Sequence, residues 1–120
     1  MIDDLIFDIG MHRGLDTEWY LAKGFRVVAV DANPLLAREV STRLADAIAA
    51  RRVIIENVGI APAKGTLPFY VNLDNDEWSS FDKQLGTRGG TRFEVLSVPS
   101  INPRALFEKY GTPYFVKIDI

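Results

Sequence analysis

The chain has 120 residues, of which 48% are hydrophobic and 25% are charged, and its formal net charge is −2 at pH 7. This balance predicts one folded domain over residues 1–120 and argues against a disordered chain. Because there is no cysteine and only one histidine, His12, we expect no disulfide, no thiolate catalysis and no metal centre. The small negative charge gives no reason to expect nucleic acid or an anionic membrane surface as a partner.

The sequence predicts neither a membrane span nor a signal peptide. No run approaches the ~20 residues of a membrane span. Residues 1–4 are acidic and lack the basic start and long apolar core of a signal peptide. We therefore expect a cytoplasmic protein without a membrane partner.

The first half of the chain alternates between predicted strands and helices. Apolar runs at residues 5–9, 26–31 and 53–57 predict strands that are buried on both faces. Amphipathic segments separate them. This alternation predicts an α/β fold whose sheet is parallel and whose crossover connections are right-handed.

The two helices between these strands carry end signals. Asp16 is the expected cap of the first helix, and Gly24 suits the left-handed position at its end. Asn33 is the expected cap of the second helix, with Pro34 at its first position. The second helix has an apolar face that repeats every four residues: Leu36, Val40, Leu44 and Ile48.

The second half breaks this rhythm. Residues 67–71 predict a strand, and Pro68 favours an edge position within its sheet. Residues 72–91 are polar, contain Trp78 and predict a mobile loop. Residues 92–98 alternate between apolar and polar positions, as a half-exposed strand does.

The last two predicted elements return to the first pattern. Residues 103–110 predict a helix with Asn102 as its cap and Gly111 at its end. Residues 114–120 predict a final apolar strand.

Three predicted strands end on a carboxylate: Asp8, Asp31 and Asp119. Ligands of parallel sheets gather at the carboxyl ends of the strands. Between the first two acids lies a turn with Gly10 and Gly14, whose spacing is neither a dinucleotide fingerprint nor a Walker loop. Asp31 follows Gly14 by 17 residues, where an acid can accept hydrogen bonds from both ribose hydroxyls. The pattern predicts a nucleoside-containing cofactor, and an ordinary strand–helix turn is the alternative.

Three other residues allow a structural interpretation as well as a functional one. Asn57 could face an adenine edge or begin a turn. His12 is more typical of a turn than of a catalytic base, although Asp8 or Asp16 could orient its ring in space. Trp78 could cover a site or fold back on the core, and the core is slightly favoured.

The ordered set of motifs resembles the FkbM-type methyltransferases, a branch of the class I S-adenosylmethionine-dependent enzymes. The similar stretches are residues 7–17, 30–34, 57–71 with the pair Ser79-Ser80, and 116–120. The first of them is similar to the family's Phe-Asp-Val-Gly-Ala-Asn-x-Gly-x-x-Thr. Met11 and His12 stand where that motif usually has alanine and asparagine. The last stretch is similar to a motif that normally continues with Glu-Gly.

The resemblance implies S-adenosyl-L-methionine as the cofactor and O-methylation of a hydroxyl on a small molecule or sugar. The residues that it places at the cofactor are Asp8, Gly10, Met11, Gly14, Asp31, Ala32, Asn57 and Val58. In this assignment Asp8 lies near the methionine ammonium and Asp31 holds the ribose. Asp119 and His12 are the candidate catalytic residues, since either could remove the hydroxyl proton.

The resemblance also implies a Rossmann-like, class I methyltransferase sheet with crossover helices, an inserted antiparallel β segment and a C-terminal truncation. A last strand left at the sheet edge would be long and apolar, and such edges pair with other chains. We therefore expect a homodimer through the exposed strand at residues 114–120. Two other functions remain open, namely an NAD-type dinucleotide-binding Rossmann fragment and a non-catalytic interaction module.

Overall fold

The computed structural model describes residues 1–120, which form two β-sheets and five α-helices. The strands are β1 (Ile2–Ile9), β2 (Arg26–Val30), β3 (Val53–Glu56), β4 (Gly59–Ile60), β5 (Gly65–Asn72), β6 (Phe93–Ile101) and β7 (Pro113–Ile118). The helices are α1 (Leu15–Ala22), α2 (Pro34–Arg43), α3 (Ala45–Ala49), α4 (Lys83–Gly86) and α5 (Pro103–Tyr110). Two short 3-10 turns lie at Asp76–Trp78 and Arg88–Gly90. None of the helices combines the length and apolar character that crossing a bilayer requires.

The main sheet has the strand order β3-β2-β1-β7, and all its neighbouring strands are parallel. One face packs against α1 and α2 through residues such as Leu21 and Val40. The other face packs against Leu106 of α5. Because helices cover both faces, the strand residues between them are apolar and buried. The predicted α/β class and parallel sheet are confirmed, and the arrangement is Rossmann-like.

The second sheet, the inserted sheet, has the order β4-β6-β5 and lies in the chain between β3 and α5. β5 and β6 pair antiparallel, which confirms the expected antiparallel insertion. β5 is an edge strand, so Pro68 lies where a missing backbone donor costs least. The inserted sheet has a small core of its own, formed by Phe69, Val71 and Val98.

Residues 73–92 join β5 to β6, and here the structure differs from the predicted loop. The segment forms the two 3-10 turns and α4, arranged around the buried side chain of Asn72. The Asn72 amide donates to the carbonyl of Gly86 and to the hydroxyl of Thr91, and its oxygen accepts from the N–H of Asp74 and of Asn75. Local backbone groups are thereby satisfied without a sheet ladder.

Trp78 does not join the core, so the favoured interpretation of this residue was wrong. Its ring is partly exposed, and the guanidinium of Arg88 lies 4.7 Å from the ring centroid. Gly89 packs beside the same ring. The tryptophan therefore stabilises the outer side of the insertion through a cation–π contact.

The helix ends show which local signals decide structure. Asn33 and Asn102 cap α2 and α5 as predicted, each accepting a hydrogen bond from a backbone N–H two residues later. The expected Asp16 cap was wrong, because α1 begins at Leu15 after Gly14 in a left-handed conformation with φ of 76°. The predicted second helix also breaks at Leu44 into α2 and α3.

Candidate functional site

The carboxyl ends of β1, β2 and β7 meet at one edge of the main sheet, where a cavity of about 580 Å³ opens. From the main-sheet side it is lined by Gly10, His12, Asp31, Ala32, Val58 and Asp119, among others. From the inserted part it is lined by Phe69 of β5 and by residues of the segment that joins β5 to β6, namely Asp76, Glu77, Ser79, Ser80 and Phe81. The cavity therefore lies between the two sheets and depends on both.

The glycine turn after β1 is closed by its own hydrogen bonds. The N–H groups of Gly10 and Met11 both donate to the Val30 carbonyl, at 2.7 and 3.0 Å, and the Gly14 N–H donates to the Met11 carbonyl. Gly10 has φ of 82°, and a Cβ there would lie 1.9 Å from the carbonyl oxygen of Asp119. Only glycine fits at this crossing of two backbone segments.

Asp31 is a fixed carboxylate at the end of β2. One of its oxygens accepts from the backbone N–H of His12 at 2.9 Å, and the other accepts from the N–H of Asn33 at 2.9 Å. Burial raises the pKa of Asp31, although these two backbone hydrogen bonds oppose the rise. Each carboxylate oxygen keeps a further lone pair, so the group can accept two more donors.

Asp8 lies outside the cavity lining and is fully buried. One oxygen accepts from the Thr17 hydroxyl at 2.6 Å, and the other has no hydrogen-bond partner. Burial raises the pKa of Asp8, while Thr17 and the Lys117 ammonium 3.5 Å away lower it less. Lys117 also pairs with Asp16 at 2.9 Å and lies 3.8 Å from Asp119. Burial acts against the charge of Lys117, but the three surrounding carboxylates outweigh it and raise its pKa.

The cavity brings together six of the ten site residues that the sequence predicts. They are Gly10, His12, Asp31, Ala32, Val58 and Asp119. Besides Asp8, three others lie outside the lining, of which Met11 is buried in the core and Gly14 faces Val40 of α2. The Asn57 amide donates to the carbonyls of Asp31 and Ala32 at 2.9 and 3.1 Å. These residues shape the end of the sheet without lining the cavity.

The aromatic wall of the cavity is formed by Phe69 of β5 and Phe81 of the segment between β5 and β6, and the sequence did not predict either residue as part of the site. The Phe81 ring lies so close to Gly59 that a Cβ there would be 2.2 Å from a ring carbon. Phe69 meets the same ring edge-on, with 4.9 Å between the centroids. Gly59 was the only available signal, since a glycine within a strand often marks a close approach.

A second contact that the sequence did not predict joins the glycine turn to the segment between β5 and β6. His12 Nε2 lies 2.9 Å from an oxygen of Asp76, and the other oxygen of Asp76 accepts from the Arg13 guanidinium at 2.6 Å. Asp8 and Asp16, the two carboxylates that could have oriented the ring, are engaged elsewhere, since Asp8 bonds Thr17 and Asp16 pairs with Lys117. The partner of His12 is thus 64 residues away in sequence.

The charge of the cavity restricts what it can hold. Its ionisable lining consists of His12 and four acids, with no lysine or arginine. The acids are Asp31, Asp76, Glu77 and Asp119. A flat apolar group with hydroxyls and a neutral or positive charge suits this lining better than a phosphate does. Searches of family models, of curated proteins and of solved structures return no match to this chain.

Proposed function

We propose that the chain binds S-adenosylmethionine and belongs to a methyltransferase of the FkbM type, which methylates a hydroxyl on a small molecule or sugar. The observation that carries this proposal is the placement of Asp31. It follows β2, is partly buried at the wall of a cavity of about 580 Å³ and has both oxygens fixed by backbone N–H groups. A carboxylate held in this way is preorganised to accept the two hydroxyls of a ribose.

The apolar part of the lining supports a place for the adenine. Ala32 and Val58, which the family resemblance assigns to the base, lie in the same cavity as Phe69 and Phe81. Aromatic and aliphatic walls bind the flat face of a base by dispersion and stacking. The proposal therefore places the base between the end of β2 and the inserted sheet.

The acidic lining favours a cationic nucleoside over a dinucleotide. Diphosphate binding requires free backbone N–H groups at the glycine turn, but those of Gly10, Met11 and Gly14 are already bonded within the chain. The first turn of α1 also carries Asp16 and Glu18, which would repel a phosphate. These contacts argue against the NAD-type alternative.

Methyl transfer asks little covalent chemistry of the protein. The cofactor supplies an electrophilic methyl group on a sulfonium, and the chain positions the acceptor hydroxyl in line with it. Removal of the hydroxyl proton adds to the rate if a base lies within reach. Asp119 and His12, which both line the cavity, are the candidates for that role.

Calorimetric titration with S-adenosylhomocysteine and with NAD tests the proposal. We expect S-adenosylhomocysteine to bind more tightly, and Asp31→Asn to weaken it about tenfold or more, since a hydrogen bond to a charged group is worth about 1.5–3 kcal/mol. Asp74→Asn is the matched control, because Asp74 bonds Arg92 in the insertion and lies outside the cavity lining. Unchanged affinity in Asp31→Asn, or tighter binding of NAD, would overturn the assignment. Binding of neither nucleotide would favour the non-catalytic interaction module.

The proposal includes a homodimer formed through β7. This strand is an edge of the main sheet, and it exposes Tyr114, Phe115 and Ile118 by 56%, 49% and 64%. A second copy could continue the ladder and cover these side chains. We expect sedimentation velocity to show a concentration-dependent dimer that Ile118→Lys weakens, and a monomer at every concentration would contradict it.

A further inference from the structure

We propose that His12 is a general base presented to the cavity and that Asp76 is the positioning residue that orients it. The role of His12 in methyl transfer rests on the function proposed above, whereas the pairing with Asp76 stands on geometry. His12 Nε2 lies 2.9 Å from Asp76 Oδ1, and His12 and Asp76 both line the cavity. The pair joins the glycine turn after β1 to the segment between β5 and β6, so it forms only where these two parts of the chain meet.

Asp76 is itself held in place. Its Oδ2 accepts a hydrogen bond from the Arg13 guanidinium at 2.6 Å, and Arg13 also lies 3.5 Å from Glu39. With one oxygen fixed by Arg13, the other can point steadily at the imidazole ring. A carboxylate held by two partners is a better orienting group than a freely rotating surface acid.

The contact determines which ring nitrogen is free. A carboxylate accepts hydrogen bonds, so the neutral imidazole places its proton on Nε2 and donates it to Asp76. Nδ1 then carries a lone pair, and it has no hydrogen-bond partner within the chain. This is the arrangement of an oriented base, in which one nitrogen is anchored and the other can accept a proton.

The backbone of His12 strengthens the case. Its φ is 54°, in the left-handed region that non-glycine residues seldom adopt. Its N–H donates to Asp31 while its ring reaches Asp76, so one residue joins the proposed ribose acid to the insertion. A conformation of this kind is strained for a non-glycine residue and persists only where surrounding contacts fix it.

The proton balance is simple. In this role Nδ1 of His12 would accept the hydroxyl proton as the acceptor oxygen formed its bond to the methyl carbon, and the bond from that carbon to the sulfonium sulfur would break to leave a neutral thioether. The resulting imidazolium is stabilised by Asp76 and lies in a lining that also holds Asp31, Glu77 and Asp119. Its side chain is 35% exposed, so the proton can pass to solvent.

Nitrogen NMR of the imidazole tests the pairing directly, because His12 is the only histidine in the chain. In protein labelled with ¹⁵N-histidine, we expect the Nε2–H tautomer to predominate at a pH where the ring is neutral. Asp76→Asn should lower the ratio of the Nε2–H to the Nδ1–H tautomer about tenfold, the change expected on losing one hydrogen bond to a charged acceptor. Asp76→Glu should restore it, which a purely structural role would not require.

Asp74→Asn is the matched control, since it removes a carboxylate two residues away that bonds Arg92 and does not touch His12. Equal ratios in the wild type and Asp76→Asn, or a predominant Nδ1–H tautomer in the wild type, would overturn the pairing. Circular dichroism checks that each variant is folded.

Addition of S-adenosylhomocysteine to the same sample separates the two proposals. We expect the His12 ring signals to shift on binding, since His12 lines the cavity. If calorimetry shows binding and these signals do not move, His12 is not the base of this site. If the nucleoside does not bind, the methyltransferase proposal fails, and the tautomer ratio still decides whether Asp76 orients His12.

Discussion

The main sheet and the inserted sheet are stabilised in different ways. The main sheet buries apolar side chains on both faces, and Phe7 and Val28 are at most 1% exposed. The inserted sheet has only three buried apolar residues in its own core, and the segment between its long strands is arranged by hydrogen bonds to Asn72. The cavity between them therefore combines a floor of buried strands that positions Asp31 with a wall that depends on a few specific contacts.

The largest effect should come from a large-to-small change in the main sheet. Phe7→Ala removes a fully buried ring that packs on Phe107 and Tyr110, and we expect it to cost about 3–5 kcal/mol of unfolding free energy. Phe81→Ala, the matched change in the insertion, removes a partly buried ring and should cost less than about 3 kcal/mol. Urea denaturation monitored by circular dichroism measures both.

Equal losses in these two variants would break the comparison, because the insertion would then contribute as much to global stability as the sheet. Phe81→Ala should also change the affinity for S-adenosylhomocysteine, since Phe81 lines the cavity. A stable variant with altered affinity would separate the wall of the site from the core of the fold.

A smaller and more local effect is expected at Asn72. Asn72→Ala deletes four hydrogen bonds that the buried side chain makes, and it leaves the partner groups unsatisfied, at a cost of about 2–3 kcal/mol. Amide hydrogen exchange should become faster in β5 and β6 and stay slow in β1 and β2. Faster exchange across both sheets would show that they unfold as one unit.

The same contrast explains what the sequence could predict. The strands of the main sheet are continuous apolar runs, and the caps Asn33 and Asn102 act within two residues of themselves, so local signals suffice. The edge position of β5 was also predictable from one residue, because Pro68 has no backbone N–H to donate to a neighbouring strand. Asp16 failed as a cap because Gly14, in a left-handed conformation, takes the cap position and the helix begins two residues earlier than predicted.

The candidate site was predictable only on the main-sheet side. Gly10 and Asp31 follow strands whose parallel order brings their ends together. Asp76 and Phe81 reach the cavity from a polar segment, and no local pattern reveals which of its side chains turn inward. The contact between His12 and Asp76 spans 64 residues, so it arises from packing of the two sheets rather than from spacing.

The smallest expected effect is a difference in pH dependence between Asp8 of the main sheet and Asp74 of the insertion. Burial raises the folded-state pKa of Asp8 above 3.8, so its contribution to stability is full below that pH and is lost as the pH rises through the folded pKa. The Arg92 hydrogen bond lowers the pKa of Asp74, so its contribution is present above 3.8 and is lost as the pH falls through the folded pKa. Relative to the wild type, Asp8→Asn should therefore gain unfolding free energy as the pH rises, and Asp74→Asn should lose it. Urea denaturation between about pH 2 and pH 7 measures both differences, and slopes of the same sign would mean that the two carboxylates do not differ in environment as the two sheets do.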